Sequence, residues 1–161
     1  MILRIIFLLL IFFSFTNYSY SASSSSDGGS KSNYNKAANL IKAAKKYESK
    51  GKSEKAKKRY ERALKLLIKS NKEKPNQADT LNYLGFATRK LGNYEEGEKY
   101  YLLGLKIDPN HKGINEYLGE LYVVTNRIEL AKQRLNVLKN CNCEEYKELK
   151  DIIDGNKKSK Y

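Results

Sequence analysis

Beyond about residue 36 the apolar residues recur at helical spacing. Leu40, Ala43, Ala44 and Tyr47 fall at i, i+3, i+4 and i+7, one face of a helix. After Gly51 the pattern resumes with Ala56, Tyr60, Ala63 and Leu64, and a last stripe of Tyr146, Leu149, Ile152 and Ile153 closes at Gly155. Asn-x-x-Glu occurs at Asn93/Glu96, Asn126/Glu129 and Asn142/Glu145, where the Asn side chain can accept from an orphan helix N–H while the Glu reaches back. These signals predict an all-α chain of seven helices.

The helices repeat. Tyr83-Leu84-Gly85 returns as Tyr117-Leu118-Gly119, 34 positions on, and the flanking residues agree. Leu81, Leu84-Gly85, Thr88, Gly97, Tyr101 and Pro109 in one copy correspond to Asn115, Leu118-Gly119, Tyr122, Ala131, Leu135 and Cys143 in the next. A more divergent copy precedes them: Gly51, Ala56, Tyr60, Ala63 and Leu64 align with Gly92, Gly97, Tyr101, Gly104 and Leu105 at an offset of 41. The surplus of about two helical turns near residues 71–76 predicts a longer second helix in that copy.

With these motifs the stretch from about Ala37 to Leu138, and Leu81 to Leu138 most specifically, resembles tandem tetratricopeptide repeats. The whole chain is similar to small exported bacterial members of that superfamily. The resemblance implies a right-handed superhelical array of three helix-turn-helix hairpins (about 37–70, 78–111 and 112–143, within 36–140), a capping helix over 142–155 and a basic tail over 156–161. It also implies a concave groove, walled by the first helix of each hairpin, that holds peptides or other proteins. Carried over residue by residue, the groove positions are Ile41, Lys45 and Glu48, then Asn82, Phe86, Arg89 and Lys90, then Glu116, Glu120 and Val123. Lys45, Asn82, Phe86, Arg89, Lys90, Glu116 and Glu120 are the partner-binding candidates, with Phe86 as an apolar anchor rimmed by charge. A core role for Phe86 between neighbouring first helices is the alternative. The family's carboxylate clamp for chaperone C-terminal tails needs Lys, Asn, Asn, Lys and Arg. Its places hold Ile41, Lys45, Tyr83, Gly113 and Tyr117 here, so that ligand is not expected. A groove with Lys45, Arg89 and Lys90 at one end and Glu116 and Glu120 at the other calls for an extended protein or peptide partner of mixed charge.

The N-terminus changes the setting. Arg4, the apolar run from Ile5 to Phe13 and the small residues Ser19 and Ser21 have the layout of a signal peptide over residues 1–21. Residues 22–35 read as a flexible Ser/Gly-rich linker. The folded part is therefore expected in the periplasm or secreted, with membrane contact through this segment if it stays uncleaved. Charge is lopsided: residues 31–75 hold 16 Lys and Arg against 4 Asp and Glu, whereas residues 76–161 hold 14 against 13. The basic first hairpin suits an acidic partner, anionic lipid headgroups or a solvated face. Its cations lack the interleaved aromatics of a nucleic-acid platform, so nucleic acid is not expected.

Candidate chemistry is sparse. Cys141 and Cys143 are the only cysteines; in an oxidising compartment they suit a local disulfide or two packed thiols, and a redox or soft-metal role is the alternative function. His111 stands alone, and neither a phosphate loop nor a nucleophile with its base is recognisable. The sequence thus reads as a non-catalytic interaction adaptor with no cofactor and no metal.

Overall fold

The computed structural model describes residues 32–159. The expected signal peptide over 1–21 and all but the end of the expected linker lie outside these residues, as do the last two residues of the tail.

Seven helices follow one another: α1 Asn33–Glu48, α2 Ser53–Glu73, α3 Ala78–Lys90, α4 Tyr94–Ile107, α5 Lys112–Val124, α6 Ile128–Leu138 and α7 Glu144–Ile153. Three hairpins form, α1 with α2, α3 with α4 and α5 with α6, and they stack through α2 on α3 and α4 on α5. The first helices also touch directly, α1 on α3 and α3 on α5, which produces a common wall, and α7 closes the far end against α5 and α6. The core is built from Ala44, Tyr60, Leu67, Leu84 and Phe86 at one end and Tyr101, Ile114, Leu118 and Ala131 at the other. The long second helix expected of the first hairpin is present: α2 has 21 residues against 14 in α4.

Local chemistry sets the boundaries. Ser32 caps α1 by accepting from the Asn35 N–H, so residues 33–35, expected in the linker, are helical. Asn33 then reaches the end of α2 through a 2.7 Å bond to Glu73, and Tyr34 packs on Tyr83 at 5.6 Å between ring centroids. Asn93 caps α4 as expected, accepting from the Glu96 N–H at 3.2 Å. The reciprocal half of that box does not form, since Glu96 pairs with Lys99 and the Asn93 N–H donates to the Thr88 carbonyl, and at the other two Asn-x-x-Glu sites neither half forms. Asn126 and Asn142 have φ of 58° and 45°, and the N-cap positions pass to Arg127 and Cys143. Asn126 stands one repeat beyond Gly92, itself at φ 90°, so it is spent on the left-handed turn that Gly provides in the preceding hairpin.

Two glycines let helices approach where a side chain would intervene. A Cβ on Gly85 would lie 2.6 Å from the Tyr101 ring, and one on Gly119 would lie 2.5 Å from Leu149 of the cap helix. The recurring Leu-Gly pair is thus a socket into which a packed helix, α4 at Gly85 and α7 at Gly119, inserts a large side chain. Tyr101 is 0% exposed and has nowhere to retreat. Gly85→Ala is therefore expected to destabilise the fold by about 1–3 kcal/mol despite the better helix propensity of alanine. Urea unfolding checks this, and a neutral or stabilising effect would contradict the close approach of α3 and α4.

Candidate partner-binding groove

The common wall of first helices encloses a cavity of about 450 Å³. Lys45, Glu48 and Ser49 of α1 line it with Phe86 and Lys90 of α3, Glu116, Tyr117 and Glu120 of α5, and Glu148 of α7. Its floor is aromatic: the Phe86 ring meets Tyr117 at 4.9 Å and Tyr60 edge-on at 5.9 Å. The Lys45 ammonium lies over Phe86, 4.4 Å from its centroid, and donates to the Tyr117 hydroxyl at 2.9 Å.

Charge around this floor is interleaved. Lys90 pairs with Glu48 at 2.6 Å, and the Tyr60 hydroxyl donates to the other oxygen of Glu48 at 2.8 Å. Burial pushes the Lys90 ammonium below its ordinary range, against the pull of Glu48, and neighbouring Arg89 lowers it further. Beneath them the Arg89 guanidinium donates to the Tyr117 carbonyl at 2.6 Å and to Glu120 at 3.2 Å. On the far wall, burial raises the Glu116 carboxyl to about 8; Glu120, Glu145 and Glu148 reinforce the rise, and Lys45 opposes it. Tyr117 is likewise driven above the usual tyrosine range by burial first and Glu116 second, so its phenol stays protonated.

Of the residues expected in the groove, Lys45, Phe86, Lys90, Glu116 and Glu120 line the cavity together. Asn82 and Arg89 do not. Asn82 is buried against Gly113 between α3 and α5, and Arg89 lies under the floor. Phe86 is only 1% exposed because Lys45 covers its ring, which makes it core rather than a free anchor, and Ile41 is core as well. The reason is the position of α3: packed by α1, α2, α4 and α5, it buries nine of its 13 residues, so little of its expected groove face is left to solvent. The expected division into a basic and an acidic end also fails, since Arg89 is paired to Glu120. Tyr117, Ser49 and Glu148 were not among the expected groove residues. Tyr117 was legible as a repeat-signature residue, but Glu148 depends on how the cap helix docks.

With this geometry in place, residues 78–111 match the tetratricopeptide repeat family model. The chain carries a tetratricopeptide repeat and has the tetratricopeptide fold. The first tetratricopeptide domain of human RPAP3, solved by NMR, superposes with a TM-score of 0.55 at 19% identity, covering 74% of this chain and 91% of that one. The first such repeat domain of Spaghetti (RPAP3), bound to the HSP90 peptide SRMEEVD, gives 0.53 at 21% identity, over 79% and 98%. The type III secretion translocator chaperone SycD of Yersinia enterocolitica gives 0.54 at 19%, over 75% and 88%. No curated protein sequence matches the chain significantly.

Two features singled out in the sequence take structural roles. Cys141 and Cys143, with Cα atoms 5.2 Å apart in the α6–α7 turn, are joined as a disulfide, so neither supplies the thiolate that a soft-metal site requires. His111 is the N-cap of α5: its Nδ1 accepts from the Ile114 N–H at 3.2 Å, and its Nε2 lies 3.1 Å from Asp79.

Because Phe86 and Arg89 are core, Phe86→Ala is expected to cost about 3–5 kcal/mol. Arg89→Glu, which places a second carboxylate beside Glu120, is expected to cost at least about 3 kcal/mol. Urea midpoints within error of wild type would return both residues to the groove surface. Glu116 makes a pH prediction. Its folded value of about 8 lies above the unfolded 4.5, so the folded state holds the proton more tightly and stability falls as pH rises between those values. Glu116→Gln should remove this slope and gain about 4–5 kcal/mol relative to wild type at pH above about 8. Equal pH slopes in denaturant unfolding of the two proteins would show that Glu116 titrates normally.

Proposed function

We propose that this chain is a non-catalytic adaptor that holds a segment of a partner polypeptide in the cavity between α1, α3, α5 and α7. The observation that carries this reading is the cavity itself, an aromatic floor ringed by charged groups of both signs and walled by the first helices of the array. An RPAP3 relative with this fold has a peptide bound, which supports the same use here by analogy of fold.

The lining chooses among partners. Four acidic side chains, Glu48, Glu116, Glu120 and Glu148, line the cavity with Lys45 and Lys90; Glu48 pairs with Lys90, Glu120 with Arg89 beneath and Glu148 with Lys157. A segment with consecutive acidic residues, such as the SRMEEVD peptide of the relative, finds no carboxylate clamp here, since the clamp positions hold Ile41, Lys45, Tyr83, Gly113 and Tyr117. The cavity suits a segment of mixed charge that directs a basic side chain toward Glu116 and Glu148 and an acidic or carbonyl group toward Lys45. The signal-like layout of residues 1–21 supports an activity outside the cytoplasm, in the periplasm or secreted. The Cys141–Cys143 disulfide serves as a local clip in this reading.

The test begins with cross-linking in the native envelope fraction, followed by titration of the captured partner's peptide against purified protein. Lys45→Met and Glu148→Gln are each expected to weaken binding about fivefold or more while circular dichroism stays helical. Replacing both cysteines by Ser should leave helicity and affinity intact. A peptide that binds the groove variants as tightly as wild type would remove the cavity from the function, and loss of binding in the double Ser variant would move the site to the α6–α7 turn.

A further inference from the structure

The outer face of the first hairpin is unlike the rest of the surface. Along α2, Lys55, Lys58, Arg62, Lys65, Lys69 and Lys72 follow one another at steps of 3, 4, 3, 4 and 3 residues, and all are exposed. This is one stripe of the helix, about 25 Å long, and the opposite side buries Ala56, Tyr60, Ala63, Leu67 and Ser70. The stripe continues onto α1. One hollow of about 390 Å³ is lined by Tyr47, Lys55, Lys58, Arg59 and Arg62, and a second of about 290 Å³ by Ala43, Lys46, Tyr47 and Lys50, so Tyr47 joins the two.

None of the six stripe cations has an ion-pair partner among the described residues. Three glutamates, Glu54, Glu61 and Glu73, share the helix and leave the hairpin strongly positive. On the later hairpins several cations are matched: Lys99 with Glu96 at 3.3 Å, Arg127 with Glu98 at 2.7 Å and Lys132 with Glu129 at 2.8 Å. Acidic and basic residues nearly balance along α4 and α6, whereas α2 carries a large excess of cations.

We propose that this face of α1 and α2 binds an anionic phospholipid surface. The match is one of charge and of residue type. Five of the six stripe residues are lysines. Lysine is depleted in the cores of protein interfaces, and specific carboxylate recognition favours the planar fork of arginine. Compact, flexible ammonium groups spread over about 25 Å suit instead the diffuse potential of a headgroup layer, where each nearby cation strengthens binding about fivefold. This surface is distinct from the cavity, and its occupancy leaves the groove open to a partner.

The full chain should be sedimented with vesicles of phosphatidylcholine alone and with vesicles containing about one part in three phosphatidylglycerol. The apolar run at residues 5–13 would partition into both, so the readout is the ratio of the two partition coefficients. A ratio of about 100 is expected at about 0.1 M salt, collapsing toward one at about 1 M. Charge reversal at Lys55, Lys58, Arg62 and Lys65 together should abolish the ratio while circular dichroism stays helical. Reversal at Lys99, Lys106, Lys132 and Lys139, an equal change of net charge on later hairpins, should leave most of it. Equal binding of wild type to both vesicles overturns the proposal without recourse to any variant. So does equal loss in the two charge-reversed proteins, which would reduce the effect to net charge. Tight binding of soluble poly-glutamate without a vesicle preference would reassign the face to an acidic polypeptide.

Discussion

The burial of one arginine organises the centre of the molecule. Arg89 is 1% exposed, and its guanidinium is surrounded by the rings of Phe86, Tyr101 and Tyr117 at 5.7 to 5.9 Å. A cation taken out of water in this way is tolerable only while its partners are held in place, and removing one of them typically costs about 3–5 kcal/mol. Two of its partners, the Tyr117 carbonyl and the Glu120 carboxylate, belong to α5. Arg89 therefore ties α3 to α5 in a single register, which aromatic contacts alone specify less sharply. That register in turn sets where Phe86, Tyr117, Glu116 and Lys45 meet. The groove floor is a consequence of satisfying a charge beneath it.

The repeat was legible because close helix packing needs a particular residue pattern. Gly85 and Gly119 must both be small, the first to admit Tyr101 of α4 and the second Leu149 of α7, so the offset of 34 residues marks two equivalent sockets even though different kinds of helix fill them. The same logic exposed the long α2. Helix starts were less legible because Asn serves two purposes with one composition. At Asn93 it caps, whereas at Asn126 it occupies the left-handed turn before the cap, and an identical Asn-x-x-Glu string describes both. Only the comparison of Asn126 with Gly92, one repeat earlier, distinguishes them. Ser32 and Asn33 were read with the Ser-rich segment before them although they begin α1, because polar residues at a helix start and in a linker look alike.

The groove was legible at its edges and not at its centre. Lys45, Glu116 and Glu120 follow from the phase of an amphipathic first helix with one face buried. The helix α3 has more than one buried face, since α1 and α5 flank it on the side that would otherwise be open. Periodicity then marks Phe86 and Arg89 as off the Leu-Gly face without saying whether water or another helix covers them. The answer depends on how near the neighbouring first helices come, and Arg89 reaching the α5 backbone shows that they come close. Glu148 was hidden for a related reason, since its place in the cavity depends on α7 docking across α5.

The position of Lys45 limits how the cavity can be filled. Its ammonium already occupies the aromatic face of Phe86 and the Tyr117 hydroxyl, the place a partner's cation would otherwise take. A basic partner group must therefore approach from the carboxylate side, where Glu116 stands. Burial and the neighbouring glutamates hold that carboxyl protonated below about pH 8, so an arriving cation first meets a neutral acid. Its charge stabilises the ionised form, which lowers the pKa and releases the proton on binding. Affinity for a basic segment then strengthens as pH rises toward 8, while the unliganded fold weakens over the same range. A single carboxyl thus opposes folding and favours binding, which gives the free protein less stability at a position the bound state uses.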